Sequence, residues 1–186
     1  MESFINYLSA ISLLSEESQK AIRSKLSKKN YSKNEILIKE LSTCQHLFFI
    51  KNGLVRAFYF KDGKDITDWF GLENSIIGPI IRNFPVKEGS HAVEVFEDSE
   101  IVSISFDDLQ ILYNTHHEIE RLGRIISIQA ILLLQQKLDS IQFLTSKERY
   151  TDFANNFPQL LQRVPLGHIA SYLGMNQVTL SRARKK

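Results

Sequence analysis

Two small residues four positions apart near the C-terminal end constrain this chain more than any other feature. They are Ala170 and Gly174, in the stretch VPLGHIASYLGMNQVTLSRARKK over residues 164–186. With Leu166 as first position, Ile169 is fourth, Ala170 fifth, Leu173 eighth, Gly174 ninth, Met175 tenth, Leu180 fifteenth and Ala183 eighteenth. That spacing predicts two short helices crossing at a sharp turn. A side chain larger than Ala170 would push the helices apart where they cross. Gly174 falls just past the first helix, where a turn wants positive φ and a Cβ is costly. Ile169, Leu173, Met175 and Leu180 supply a small core. Gln177, Val178, Ser181, Arg182 and Lys185 are left on an outer face that suits a DNA major groove. The competing reading is an ordinary helical hairpin.

Charge separates the two readings. All 21 acidic residues lie at or before Asp152. After it come Arg163, Arg182, Arg184, Lys185 and Lys186, a charge of +5. The first 152 residues carry 18 basic and 21 acidic side chains, so the overall +2 hides a basic end on a slightly acidic body. A basic end without carboxylates is the footprint of phosphate binding.

The most apolar stretch, residues 125–134, is interrupted by Ser127 and Gln129 and is too short and polar to span a bilayer. The N-terminal MESFINYLSA lacks the basic start and apolar core of a signal peptide, so a cytoplasmic protein is expected. One cysteine, Cys44, gives neither an internal disulfide nor a cysteine-ligated cluster or zinc site, and reads as a small buried residue.

Residues 1–30 read as helical, with Ser15 as N-cap, Glu16 and Glu17 in the first turn, and Lys25, Lys28 and Lys29 closing the C-terminal end. From Tyr31 the pattern becomes β-type, with runs at 35–39, 47–51, 54–60, 65–70, 92–96 and 101–104. Asn52-Gly53 and Asp62-Gly63 are the strongest hairpin turns. No helix-length pattern separates these runs, so they predict a jelly roll rather than βαβ units. Ser105 and Asp108 are spaced like a capping box for a short helix. The longest helical pattern follows, over roughly 116–144. Ile119, Leu122, Ile126 and Leu133 form one stripe, and Ile125, Ile128, Leu132 and Leu138 an adjacent one. Such a wide apolar surface fits a helix that packs on the β-domain and on a second copy of itself, with Ile126 and Leu133 as seam residues. A helix buried within a monomer is the alternative. A further helix at 148–156 leads, through Pro158 and Pro165, into the C-terminal pair.

The order of β-domain, long helix and helix-turn-helix resembles the Crp/Fnr family of bacterial transcription regulators. The most specific stretch is LLQRVPLGHIASYLGMNQVTLSRARKK, residues 160–186. It resembles members typical of Bacteroidetes. The resemblance implies an α+β fold: an N-terminal double-stranded β-roll of cyclic-nucleotide-binding type (1–115), a dimerisation helix (116–144) and a DNA-binding helix-turn-helix (145–186). It implies a homodimer on a pseudo-palindromic promoter site, and leaves open RNA polymerase as a further partner and a small-molecule effector of unknown identity. Asn176 then matches the N-cap and phosphate-contact position, and Gln177 and Val178 the base-reading positions of the first turn. Arg182 matches the guanine-reading arginine, while Thr179, Ser181, Lys185 and Lys186 complete the DNA-facing set. Gln can be bidentate to adenine and Arg to guanine. Relatives often carry Glu where Val178 stands, so this chain's target is expected to differ.

Relatives that bind cyclic AMP hold the ribose with a Gly-Glu pair and the phosphate with Arg-Ser or Arg-Thr. Here Gly78 is followed by Pro79, and Gly89-Ser90 stands where Arg-Ser would be. A phosphate buried without its arginine forgoes about 1.5–3 kcal/mol. Cyclic AMP is therefore not expected to bind, although Arg82 and Lys87 are near enough in sequence to substitute. Gly78 and Gly89 read equally as turn residues. Ile76, Ile77, Ile80, Ile81 and Phe84 either favour an apolar or weakly anionic ligand or fill the pocket themselves.

No cofactor or metal is expected. His46, His91, His116, His117 and His168 read as isolated surface residues, and adjacent His116 and His117 point apart on a helix. An enzyme is not expected. A cupin-like β-roll enzyme would need a denser His/Glu cluster. A ligand-sensing module without DNA binding is the remaining alternative.

Overall fold

The computed structural model describes residues 1–40, 42, 44–78 and 91–185. Two helices, α1 (Glu2–Ile11) and α2 (Glu16–Lys25), precede eight strands. These are β1 (Ser27–Tyr31), β2 (Ile36–Ile38), β3 (His46–Asn52), β4 (Val55–Lys61), β5 (Lys64–Gly71), β6 (Ile76–Ile77), β7 (Ala92–Val95) and β8 (Ser99–Ser105). Six helices follow: α3 (Phe106–Thr115), α4 (His117–Phe143), α5 (Ser146–Asn156), α6 (Leu160–Arg163), α7 (Leu166–Tyr172) and α8 (Gln177–Ala183). The fold is α+β, with an antiparallel β-roll, a long helix and a C-terminal helix-turn-helix. The chain divides into two compact units. The first comprises residues 1–57 and 70–129, the second residues 58–69 and 130–186.

The strands form two four-stranded sheets, ordered β1-β8-β3-β6 and β2-β7-β4-β5. The β3–β8 register explains the layering of the first unit. Phe49 pairs with Val102, and both join a core with Phe4, Ile5 and Leu8 of α1, Ile22 of α2, Leu112 of α3 and Ile119 and Leu122 of α4. Ile50 pairs with Ile101, and these point the other way, into a core with Phe48, Val55, Val93 and Val95 inside the roll. A period of two thus gives one sheet two apolar faces, helices on one side and the second sheet on the other. Between β4 and β5, Asp62 (φ 52°) and Gly63 (φ 72°) are consecutive positive-φ residues, as a type I′ turn requires.

The caps follow the sequence signals. Ser15 Oγ accepts the Ser18 N–H at 3.2 Å. Ser105 Oγ accepts the Asp108 N–H at 3.0 Å and donates to the Asp108 carboxylate at 2.6 Å. Asp108 also pairs with Lys25 at 2.9 Å. The Ser105 hydroxyl, with help from Lys25, lowers its pKa.

The N-terminal helical reading runs too far. Helix ends at Lys25, and residues 27–31 are strand β1, paired with β8 from Ser27↔Ser103 to Tyr31↔Ser99. Its sequence, SKKNY, has no apolar alternation because it is an exposed edge strand, where lysines also discourage pairing with other chains. Backbone pairing holds it, with one charged cluster. Glu100 of β8 accepts from Lys28 and, at 2.9 Å, from Lys51 of β3. These two ammonium groups hold its carboxyl down to about 2. Strand β6 is likewise not evident in the sequence. Ile76 and Ile77 pair with Phe49 and Phe48, and they pack against the cores on the two sides of the sheet.

The apolar residues of α4 divide along its length. Ile119 and Leu122 are buried, and Ile126 packs against the same helix-facing core of the first unit. In the second unit Leu133 lines a cleft with Trp69, Lys137 and Phe153. Ile126 is thus committed to the first unit's core, whereas Leu133 is 46% exposed. The exposed apolar residues of α4 are Ile128, Ile131, Leu132, Leu133, Leu134, Leu138 and Ile141, with Phe143 at its end. Among the described residues, no helix is long and apolar enough to cross a membrane.

Phe49 is 1% exposed and lies 4.6 Å from the Phe4 ring and 5.3 Å from the Tyr7 ring, centroid to centroid. Phe49→Ala should cost about 3–5 kcal/mol through the cavity it leaves. Urea unfolding monitored by circular dichroism measures this. A loss under about 1 kcal/mol would mean that this pairing is not central to the core.

Candidate nucleic-acid interface

The second unit builds its C-terminal face from short capped helices. Thr145 opens α5 with a complete capping box: Glu148 N–H donates to Thr145 Oγ1 at 3.3 Å, and Thr145 N–H to Glu148 Oε2 at 2.8 Å. Pro165 (φ −56°) stands just before α7 and starts it without requiring an N–H. Helix α7 then stops in a Schellman turn. Gly174 (φ 65°) donates to the Ser171 carbonyl at 3.0 Å, and Met175 N–H to the Ala170 carbonyl at 2.9 Å. Asn176 restarts the chain as the cap of α8, its Oδ1 accepting the Thr179 N–H at 2.8 Å.

The predicted core of the helix pair is in place. Ile169, Ala170, Leu173 and Leu180 are buried, joined by Phe153, Leu160 and Val164, and Met175 is half-buried. Helix α8 packs against both α5 and α7. Its other face is open. Asn176, Gln177, Val178, Ser181, Arg182 and Lys185 are exposed, and Thr179 is half-buried. Residues 177, 178, 181 and 182 share one helical face, which carries an amide, an apolar contact, a hydroxyl and a guanidinium. Lys186 lies outside the described residues.

Residues 58–69, the outer part of the β4–β5 hairpin, belong to this unit, which sequence spacing did not reveal. The Thr67 N–H donates to Ser171 Oγ of α7 at 2.9 Å. Lys137 of α4 donates to Asp68 Oδ1 at 2.8 Å and to the Asp68 carbonyl. Its ammonium stands 5.0 Å from the Tyr172 ring centre and 5.9 Å from that of Trp69. Trp69 meets Tyr172 edge-on at 6.3 Å, and Phe153 lies 5.6 Å from Tyr172. The sequence signal was the single tryptophan, placed in a strand next to an aspartate. Burial, then the charges of Asp68 and Asp152, push the Tyr172 phenol up to about 12.

Of the residues expected to hold an effector, Gly78 is described. Its φ is 146°, and a Cβ there would come within 3.0 Å of the His46 carbonyl oxygen, so the turn itself requires glycine. Pro79, Arg82, Gly89 and Ser90 lie outside the described residues, as do Ile80, Ile81, Phe84 and Lys87. Sequence reasoning missed Arg56. It is 3% exposed, and its Nε donates to Glu94 Oε1 at 2.6 Å. The signal was an arginine inside the apolar run of β4 and a glutamate inside that of β7, neighbours in one sheet. Among the described residues, no three His, Cys, Asp or Glu side chains converge as a metal site would need.

Comparison with known proteins places this geometry. Residues 28–116 match the cyclic nucleotide-binding domain. FixK2 from Bradyrhizobium japonicum superposes with a TM-score of 0.73 at 17% identity, covering 85% of this chain and 82% of that one. The c-di-GMP-responsive global regulator CLP of Xanthomonas campestris gives 0.71 at 14%, covering 92% and 90%. A Crp/Fnr-family protein from Eubacterium rectale gives 0.73 at 16%, covering 96% and 85%. This is the Crp/Fnr fold. No curated protein matches the sequence. Within the Crp/Fnr fold, the sequence reading of a β-roll followed by a long helix and a helix-turn-helix is borne out.

Tyr172 makes the second unit sensitive to alkali. A buried phenol held above its ordinary value near 10 stabilises the fold fully below pH 10. That stability is lost as pH rises toward 12, because the unfolded chain gives up the proton first. Thermal unfolding of the native protein should show this loss between about pH 10 and 12, and Tyr172→Phe should reduce it. Identical pH profiles for the two proteins would contradict the buried environment assigned to Tyr172.

Proposed function

We propose that this chain is a sequence-specific DNA-binding transcription regulator that acts as a homodimer, with residues 145–186 contacting DNA. The observation that carries the reading is the open face of α8. Gln177, Val178, Ser181 and Arg182 stand exposed together, while Ile169, Ala170 and Leu180 lock the helices beneath. The absence of acidic residues after Asp152 supports it electrostatically. Gln177 and Arg182 read base edges, Val178 touches a thymine methyl, and Asn176, Thr179, Ser181, Lys185 and Lys186 meet the backbone or its margins. The β-roll acts without cyclic AMP, since Pro79 and Gly89 replace the Glu and Arg that hold the nucleotide in binding relatives. Gly78, Pro79, Arg82, Gly89 and Ser90 remain the candidate lining for any other effector. CLP, which shares the fold, is a c-di-GMP-responsive global regulator that links cell–cell signalling to virulence gene expression.

The dimer seam in this proposal is the outward stripe of α4. Ile131, Leu134, Leu138 and Ile141 follow one another by three, four and three residues and are 60%, 58%, 52% and 48% exposed. This is heptad spacing, and its natural occupant is the same stripe of a second copy. Leu134→Glu with Leu138→Glu should leave a folded monomer with weak DNA affinity. Sedimentation of that variant as a dimer would place the seam elsewhere.

Base reading and backbone attraction separate by mutation. A preferred duplex is first selected from random DNA. On it, Arg182→Ala should cost about 1–3 kcal/mol and relax preference at one base pair of each half-site. Removing Lys185 and Lys186 should weaken binding to specific and scrambled duplexes alike. It should also reduce the salt slope by about one unit for each phosphate left without its ammonium partner. Equal losses on both duplexes for Arg182→Ala would make Arg182 a phosphate clamp instead.

A further inference from the structure

Gly167 lies in the first turn of α7, where the backbone gives no reason for glycine. The positive-φ glycines among the described residues are Gly53, Gly63, Gly78 and Gly174, and Gly167 is not one of them. In an ordinary helical conformation, alanine is the better helix former. The missing Cβ instead makes room for one neighbour. A methyl group at Gly167 would fall 2.5 Å from Nε2 and 3.6 Å from Cδ of Gln177. Contact between unbonded heavy atoms begins at about 3.5–4.0 Å, so alanine and this position of the Gln177 amide exclude each other. Those two Gln177 atoms are all that the methyl group would meet within 4 Å; it would not approach another backbone.

Gln177 is the first residue of α8 and is exposed. It is the adenine-reading side chain of the function proposed above, and the inference rests on that reading. We propose that Gly167 is a specificity-positioning residue. It forms a notch in α7 in which the Gln177 amide rests, so that α8 presents its first base-reading group in one rotamer. A long side chain held by a neighbouring helix loses less freedom on binding than one that sweeps the surface, and it addresses one base pair. Substitution at Gly167 would then alter recognition without altering the fold. The conformation tolerates alanine, and the side-chain end that must yield is mobile.

The test is a double-mutant cycle on full-length protein, using the native sequence, Gly167→Ala, Gln177→Ala and the double variant. Each is measured on the selected duplex and on duplexes with every half-site base pair permuted, with thermal unfolding in parallel. Gly167→Ala should unfold at the same temperature or higher. It should bind the selected duplex about two- to tenfold more weakly. Its preference should flatten at the base pair where Gln177→Ala flattens it, with the Arg182 base pair unchanged. In the Gln177→Ala background it should add nothing. The proposal is overturned if Gly167→Ala keeps the native base-preference profile, or if its effect persists without the Gln177 amide. Native protein without any sequence preference would overturn the reading of α8 itself, and the positioning role with it. A native protein that discriminates, beside an unchanged Gly167→Ala, removes the positioning role alone.

Discussion

The first unit depends on β3 and β8 carrying apolar side chains on both of their faces. A strand with one wet face needs a single partner layer. Phe49 and Val102 demand helices on one side, while Ile50 and Ile101 demand a second sheet on the other. Burying both faces removes far more apolar surface from water than either alone. A slip of one residue would exchange the two cores, so register is strongly specified. The edge strand β1, which sends only Tyr31 against the core, is held by its backbone and by Glu100 between two lysines.

In the second unit the constraint is different. A pair of seven-residue helices buries little, and helices this short are unstable in water alone. Their stability comes from what surrounds them: α5 with Phe153, and the hairpin residues 58–69 with Thr67, Asp68 and Trp69. Lys137 is the meeting point, with a carboxylate and two aromatic rings around its ammonium. This arrangement leaves α8 with one face committed to packing and the other open. The DNA reading proposed for α8 relies on that division, because side chains such as Arg182 are then free of the core.

Much of the fold was legible because its signals are local. Asp62-Gly63 is a hairpin turn in any context. Ser15, Ser105 and Asn176 are helix caps because a side-chain oxygen beside free N–H groups is favourable wherever it occurs. Ala170 and Gly174 reveal a helix crossing because sterics there involve only neighbouring turns. Strands β1 and β6 were not legible. Five polar residues and two isoleucines become strands only because a partner edge is waiting for them.

The sequence by itself determined the chemical face of α8. Side chains one and four residues apart on a helix share a side by geometry, and the lack of carboxylates after Asp152 needs no coordinates. Tertiary structure alone decided that Ile126 of α4 packs against the first unit's core while Leu134 and Leu138 stay exposed, since all three repeat at helical spacing. It also decided that part of a β-hairpin belongs with the helix-turn-helix, that Arg56 lies buried beside Glu94, and that Gly167 makes room for Gln177. The physical reason is the same in each case. Periodicity says which residues share a face, but burial depends on what packs there, and those partners come from distant parts of the chain.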